Sequence, residues 1–287
     1  MINTCKRLLL SSRPISWVNT AFPFGAAYLV IQGHIDALFI VGTLFFLIPY
    51  NLLMYGVNDV FDYESDRRNP RKSGLEGVVL EQNLHKTTLI TSIVLAVPFV
   101  AWLFTQGSMS ANIVLTGVVF MVLAYSVPYL RFKERPVLDS MTSAAHFAGP
   151  FLYALVLVGW QTDYLPLVLS FFLWGMASHA FGAVQDVIPD REAGIVSIGT
   201  FLGARTTVRL SVLLYFCAGT ILLVQGGLST AIVGALGFSY IYSVVPYWDI
   251  TDSSSARANK GWKRFMKINY FVGFVITLLL IQNYLIN

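Results

Sequence analysis

Long apolar runs recur along the whole chain, and they constrain its fold more than any other feature. Windows of spanning length lie near residues 17–33, 37–57, 87–105, 110–129, 138–160, 164–185, 207–225, 228–248 and 267–285. About 20 apolar residues cross a bilayer as one helix. Since 56% of the 287 residues are hydrophobic and 12% are charged, a soluble core could not bury this surface. The sequence predicts an all-α polytopic membrane protein with nine transmembrane helices.

One membrane domain accounts for residues 1–287. Residues 1–15 start with basic side chains but lack an apolar core of signal-peptide length, so we expect a retained cytoplasmic N-terminal segment. The two cysteines, Cys5 and Cys217, fit neither a disulfide framework nor a metal-ligand spacing. Redox chemistry is therefore not expected.

The basic residues are distributed unevenly between the two sides of the predicted bundle. All 19 Lys and Arg fall in the N-terminal segment and in 66–86, 131–135, 191–209 and 257–267, which nine spans place on one side. The positive-inside rule makes that side cytoplasmic. Only Asp36 and Asp163, of 15 acidic residues, fall in the opposite hairpin tips. The net charge of +4 thus reflects topology and does not predict a nucleic-acid partner.

An acidic cluster begins inside the second apolar run and continues past its cytoplasmic end. At about 100° per residue, Asn58, Asp62 and Asp66 share one stripe of a helix, with Asp59 just beyond it. Amide and carboxylate oxygens are hard ligands suited to Mg²⁺, which usually binds a few carboxylates together with substrate phosphate oxygens. The four side chains therefore form a candidate metal site.

A second acidic cluster lies where the sixth apolar run meets the same face. Asp186 and Asp190 are one helical turn apart and share a face, and Pro189 is expected to disturb the helix and open the turn. One such cluster could be ordinary loop solvation. Carboxylates near the hydrocarbon boundary are costly unless they have partners. Two such clusters on one side therefore favour the interpretation that their carboxylates share bridging cations.

Asn58-Asp59-x-x-Asp62-x-x-x-Asp66 and Asp186-x-x-x-Asp190 resemble the two signature motifs of the UbiA superfamily of intramembrane prenyltransferases. The resemblance implies nine helices around a central chamber, with the motifs after helices two and six. It also implies two Mg²⁺ ions on an allylic diphosphate. Their expected ligands are Asn58, Asp62, Asp66, Asp186 and Asp190.

The same resemblance supplies basic partners for the diphosphate. A family Arg corresponds to Arg71, with Lys72 beside it as a further candidate, and a Tyr-x-x-x-Lys element corresponds to Tyr129 and Lys133. The remaining arginines near these motifs are expected to anchor topology or contact lipid headgroups. They are Arg67, Arg68, Arg131 and Arg135.

Two histidines, His146 and His179, lie in the predicted spans near the motifs. His179 is two turns before Asp186 on the same face, so a role in metal binding or proton transfer is conceivable. We expect both to be hydrogen-bonded interior side chains near the chamber wall.

Three segments resemble the lycopene elongase branch of the superfamily: Arg13-Pro-Ile-Ser-Trp-Val-Asn19, Phe181-Gly-Ala-Val-Gln185-Asp186 and Asp190-Arg-Glu-Ala-Gly194-Ile. This implies transfer of a C5 group from dimethylallyl diphosphate to lycopene, in C50 carotenoid biosynthesis, within a bacterial inner membrane. Aromatic acceptors such as quinone precursors, porphyrins or chlorophyllides remain the alternative. A cation-coupled transporter is disfavoured because its carboxylates should lie near the bilayer midplane.

Overall fold

The computed structural model describes residues 2–67, 73–74 and 77–286. Helices dominate, as expected for a chain whose backbone polar groups must be paired without water. The α-helices in the described residues are α1 Ile2–Ser11, α2 Val18–Gln32, α3 Ala37–Leu47, α4 Pro49–Asn51, α5 Val57–Phe61, α6 Tyr63–Asp66, α7 His85–Gln106, α8 Met109–Ser126, α9 Leu138–Val158, α10 Leu165–Val184, α11 Val187–Glu192, α12 Ile198–Leu202, α13 Ala204–Gln225, α14 Leu228–Gly237, α15 Ser239–Val244 and α16 Asn259–Ile286.

Shorter elements connect these helices. A π-helical turn covers Leu52–Gly56, and two strands, β1 Ser73–Gly74 and β2 Gly77–Val78, pair antiparallel. The 3₁₀ turns are Pro14–Ser16, Gln82–Leu84, Phe132–Glu134, Thr162–Tyr164, Val245–Tyr247 and Asp252–Ala258.

Eight helical stretches of the described chain are long and apolar enough to cross a membrane. They are Ala37–Phe61, Gln82–Gln106, Met109–Ser126, Leu138–Val158, Thr162–Val184, Ala204–Gln225, Leu228–Tyr247 and Asp252–Asn283. The first run predicted from sequence, 17–33, corresponds to α2, which has only 15 residues and contains Pro23. The polytopic all-α fold is confirmed, and the count of nine spans stays a prediction.

The hairpin tips carry residues that favour turns. Asp36 begins α3, and its Oδ1 accepts the Phe39 N–H at 2.8 Å. Gly226 and Gly227 join α13 to α14 with φ of 86° and 91°, a left-handed backbone that side chains with a Cβ rarely adopt. Polar or glycine residues thus end the helices where a hairpin must form.

Two compact units divide the chain. The first comprises Met1–Phe132 and Gly149–Trp160, and the second comprises Lys133–Ala148 and Gln161–Asn287. In the first unit the rings of Phe24, Phe46 and Tyr153 are fully buried and lie within 5.1–6.0 Å of one another. Aromatic packing therefore forms the centre of that unit.

Aromatic packing also forms the core of the second unit. The Tyr240 ring lies 5.4 Å from both Tyr215 and Phe265. Helices α13 and α14 approach closely, since a Cβ at Gly234 would lie 2.8 Å from the Gly219 carbonyl oxygen. Small residues let these membrane helices touch through their backbones.

In the first unit, the stretch that leads to the first acidic motif contains the π turn. The turn follows α4 and precedes α5, so it lies inside the span Ala37–Phe61. The Ser92 hydroxyl of α7 donates to the Leu52 carbonyl at the start of the turn, at 3.2 Å. This contact links the π turn to α7.

Candidate active site

The first motif starts directly after the π turn, in α5. Asn58 lies in α5 and Asp62 ends it, with the Asp62 N–H donating to the Asn58 carbonyl at 2.9 Å. The Asn58 side-chain amide also donates to Asp62 Oδ2 at 2.8 Å. The two side chains therefore share one face, as the helical spacing predicted.

Two side chains from the end of α8 and the segment after it hold this pair. The Asn58 amide nitrogen donates to the Ser126 hydroxyl at 3.0 Å, and Arg131 Nη2 lies 3.8 Å from Asp62 Oδ1. Asp62 is 7% exposed, whereas 30% of the Arg131 side chain is accessible. Arg131, expected to anchor topology, thus lies beside the motif carboxylate. The signal was present, since Arg131 falls inside the Tyr129–Lys133 element.

Asp59 faces the N-terminal segment. Its Oδ2 accepts the Ser11 hydroxyl at 2.9 Å, and its Oδ1 is 3.2 Å from Arg13 Nη2. The Arg13 guanidinium also lies 4.3 Å from the centre of the Tyr55 ring. Because Asp59 is only 2% exposed, this ion pair compensates a buried charge.

The other predicted residues of the first unit are less fully described. Asp66 ends α6, and its side chain lies outside the described atoms, as Arg71 and Lys72 lie outside the described residues. Tyr129, with a φ of 73°, is 97% exposed. Lys133, of the second unit, is partly exposed in the turn Phe132–Glu134. The contacts of these residues with a magnesium diphosphate therefore stay predictions.

The second motif begins where α10 ends at Val184. Asp186 lies between α10 and α11, and the Asp190 N–H donates to the Asp186 carbonyl at 2.8 Å. Pro189 lies in the first turn of α11, where a backbone N–H needs no helical partner, so the helix tolerates it. The expected interruption exists, but it lies between Val184 and Val187, before the proline.

Polar side chains surround this motif. The Ser197 hydroxyl lies 3.4 Å from Asp190 Oδ2, and the Asn259 amide donates to Gln185 Oε1 at 2.7 Å. Arg191 Nη1 lies 2.6 Å from Asp252 Oδ2. Asp252 Oδ1 in turn accepts the N–H of Ala204, the first residue of α13. Arg191 therefore ties together the connections around the motif.

A buried cluster at the start of α9 was not predicted from sequence. Asp139 is fully buried, and its two oxygens accept the N–H groups of Ser140 and Ile198, each at 2.6 Å. The Ser140 hydroxyl is 3.0 Å from His179 Nδ1. His179 is thus a hydrogen-bonded interior side chain, as predicted, and the buried carboxylate behind it is the new feature.

The donor atoms of both motifs are oxygens, which suits a hard cation. Among the described side chains, no three from His, Cys, Asp and Glu lie close enough to form a metal site by themselves. Mg²⁺ usually keeps waters and takes further oxygens from a substrate phosphate. Asn58, Asp62, Asp186 and Asp190 are therefore the described residues whose chemistry fits such an ion.

Comparisons with known proteins show related sequences along most of the chain. The model of the UbiA prenyltransferase family matches residues 20–271. The lycopene elongase/hydratase of Corynebacterium glutamicum is 50% identical over 283 residues, which cover 98% of each chain. The C50 beta-cyclic carotenoid biosynthesis protein LbtBC of a Dietzia species is 46% identical, over 97% of this chain and 65% of that protein.

Solved structures show the same fold. A UbiA homologue from Archaeoglobus fulgidus, solved with DMAPP and Mg²⁺, has a TM-score of 0.67 at 17% identity, covering 94% of this chain and 99% of that one. The fold and the match over most of the sequence agree. The chain therefore belongs to the UbiA prenyltransferase family, and it is an integral membrane prenyltransferase.

Proposed function

We propose that this protein transfers the C5 group of dimethylallyl diphosphate to lycopene, using Mg²⁺ at the cytoplasmic face of a bacterial inner membrane. The observation that carries the proposal is the 50% identity, over 98% of the chain, to the C. glutamicum lycopene elongase/hydratase. The similarity to a second carotenoid biosynthesis protein, from Dietzia, supports the same acceptor class.

The oxygen donors of the two motifs support the magnesium requirement. Asn58, Asp62, Asp66, Asp186 and Asp190 would hold the ions, two of them as the family resemblance implies. We leave Asp59 out of this set because its oxygens contact Ser11 and Arg13. Bound to the diphosphate, Mg²⁺ would neutralise negative charge on the leaving group.

Basic side chains of this chain would share that task. Arg131 already lies 3.8 Å from Asp62, so a diphosphate near this carboxylate would meet a guanidinium. A guanidinium binds phosphate oxygens through two parallel N–H groups. Arg71, Lys72, Tyr129 and Lys133 are the further residues proposed for the diphosphate.

The reaction divides into bond breaking and bond making. The allylic C–O bond ionises to give a dimethylallyl cation and diphosphate, and the terminal double bond of lycopene then forms a new C–C bond to the cation. The positive charge moves to the acceptor, which loses a proton to a base or water, or takes up water and then releases a proton. Donors fixed before ionisation favour the first step because they need no reorganisation.

Isolated membranes test the proposal directly. Membranes that contain the protein are incubated with dimethylallyl diphosphate and Mg²⁺, together with lycopene or 4-hydroxybenzoate. The masses of the acceptor and its products in the extracts are then measured by mass spectrometry. We expect lycopene alone to gain C5 units, and EDTA to prevent the gain. Membranes with Asp62→Ala are the matched control. Prenylation of the hydroxybenzoate instead, or of neither acceptor, would overturn the assignment.

A further inference from the structure

We infer that Asp139 is a positioning residue that sets the second acidic motif through helix α12. The inference rests on the proposed function, since it assigns Asp186 and Asp190 to the magnesium diphosphate. Every contact that it uses lies within the second compact unit. Neither the acidic pattern nor the family motifs include Asp139.

The Asp139 carboxylate is fixed at both oxygens. It is 0% exposed, and Oδ1 accepts the Ser140 N–H while Oδ2 accepts the Ile198 N–H, both at 2.6 Å. Burying a carboxylate is costly unless such donors satisfy it. Ile198 is the first residue of α12, so the charge also faces the positive end of that short helix. Asp139 therefore locks the start of α12 onto the start of α9.

Helix α12 reaches Asp190 through its capping residue. The Ser197 hydroxyl accepts the Thr200 N–H at 3.4 Å, and the Thr200 hydroxyl accepts the Ser197 N–H at 2.8 Å. The same Ser197 hydroxyl donates toward Asp190 Oδ2 at 3.4 Å. A serine that is 5% exposed thus connects the helix end to the second acid of the motif.

Helix α12 reaches Asp186 through its backbone. A Cβ on Gly199 would lie 2.8 Å from the Ala183 carbonyl oxygen, so α12 and the end of α10 are in direct contact. The same carbonyl accepts the Asp186 N–H at 3.1 Å. A shift of α12 would therefore disturb the turn that carries Asp186 as well as the partner of Asp190.

The decisive variants are Asp139→Asn and Ser197→Ala. An asparagine keeps the shape of the side chain but has one acceptor oxygen for two N–H groups. Each variant should raise the Mg²⁺ concentration for half-maximal binding of inorganic pyrophosphate by about fivefold, the factor that one net hydrogen bond is worth. Binding is measured by calorimetry on the purified full chain in detergent micelles. Ser197→Thr, which keeps the hydroxyl, should restore the wild-type value.

Gly234→Ala is the matched control for loss of stability alone. The added methyl would collide with backbone atoms of α13, and α13 and α14 carry neither acid of the motif. We expect a lower unfolding temperature but less than about a twofold change in the Mg²⁺ requirement, because distant sites act independently. Equal shifts in the control and in Asp139→Asn would overturn the inference.

Amide hydrogen exchange separates this inference from the proposed function. In Asp139→Asn the α12 amides, including that of Ile198, should exchange faster than in the wild type. If the wild type binds Mg²⁺ and pyrophosphate and the variants bind them equally well, the positioning role is wrong although the function stands. If the wild type itself does not bind them, the proposed function fails, and the inference fails with it.

Discussion

The two acidic motifs place their central aspartate in the same way but support it differently. Asp62 and Asp186 each lie between two helices, with φ and ψ of −100° and 1° for Asp62 and −98° and 0° for Asp186. This backbone region is sparsely populated and common among active-site residues. Each aspartate also has a polar partner one turn away, Asn58 before Asp62 and Asp190 after Asp186.

The support of the first motif is direct. Asn58 and Asp62 contact Ser126 and Arg131 through their own side chains. In the second motif, the Ser197 hydroxyl beside Asp190 also caps α12, whose first residue is held by the buried Asp139. The difference shows that the first motif is contacted by side chains of α8 and the segment after it, whereas contacts to the second extend through a short helix to a buried carboxylate.

The largest effect is expected where the motifs are alike. Asp62→Ala and Asp186→Ala should each lower transfer by about 100- to 1,000-fold, because removing one group that stabilises developing charge costs about 2.7–4 kcal/mol. Product formation in isolated membranes measures the loss. Glu64→Ala is the control, since that side chain is 64% exposed and should be dispensable. A fully active variant at either aspartate would remove its motif from the site.

The two motifs also differ in the burial of the ion pair beside them. The Arg13–Asp59 pair near the first motif includes a buried carboxylate, whereas both side chains of the Arg191–Asp252 pair near the second are partly exposed. Arg13→Gln removes the guanidinium from Asp59, whose side chain is 1% exposed, and should cost about 3 kcal/mol of stability. Arg191→Gln breaks a pair whose side chains are 42% and 36% exposed and should cost less than about 1 kcal/mol. Thermal unfolding in micelles compares them, and equal losses would contradict the contrast.

Arg131 places a cation 3.8 Å from the central carboxylate of the first motif. Arg131→Gln should raise the KM for dimethylallyl diphosphate about 10- to 100-fold, since a hydrogen bond to a charged group is worth about 1.5–3 kcal/mol. Arg131→Lys keeps the charge but not the paired N–H groups, so an intermediate value is expected. Initial rates at saturating acceptor give the KM. An unchanged KM in both variants would contradict a role in diphosphate binding and favour the original expectation that Arg131 anchors the topology.

Ser126 offers a smaller test of direct support. Ser126→Ala removes one partner of Asn58 and should lower kcat/KM about fivefold, corresponding to about 1 kcal/mol. Ser211→Ala is matched in burial, because that hydroxyl is also buried and donates to the Thr207 carbonyl within α13, a helix that carries neither motif. It should reduce stability without changing kcat/KM. Equal kinetic losses would show that Ser126 has no special role.

Asp36, an acid outside both motifs, should give the smallest effect. The Phe39 N–H, followed by the Tyr28 hydroxyl, holds the pKa of Asp36 below its ordinary value. Its contribution to stability is therefore complete above about pH 4 and is lost as the pH falls through the lowered pKa. Asp36→Ala removes this N-cap and should cost about 0.5–1 kcal/mol at neutral pH and flatten this acid limb, while turnover stays unchanged. Unfolding temperatures from pH 3 to pH 7 provide the check.

Local pattern predicted the apolar spans and the shared faces of Asn58 with Asp62. These depend on neighbours one turn apart, which helical spacing fixes. The local pattern did not predict helix α1, because its ten residues are too few to span a membrane and contain basic side chains that are equally typical of a loop. It also missed the break at Asp62, where the predicted continuous stripe ends and α6 begins.

The supporting residues could not be predicted because their contacts are far apart in sequence. Asn58 and Ser126 are separated by 68 residues, and Asp139 and Ile198 by 59. Tertiary packing alone brings such pairs together. Asp139 carried a weak signal, since an acid at the start of an apolar run needs a partner, but nothing in the sequence identified Ile198 as that partner.

The π turn at Leu52–Gly56 changes the direction in which the following side chains of the same span point. Such a turn accommodates one residue more than an α-helix of the same rise. A regular α-helix of the same residues would place Asn58 and Asp62 about 100° further round the helix axis relative to Tyr50, whereas deleting one residue there would let a regular helix keep their orientation. The orientation of the first motif is thus encoded several residues upstream of any acidic side chain, by the length of the chain and not by its chemistry.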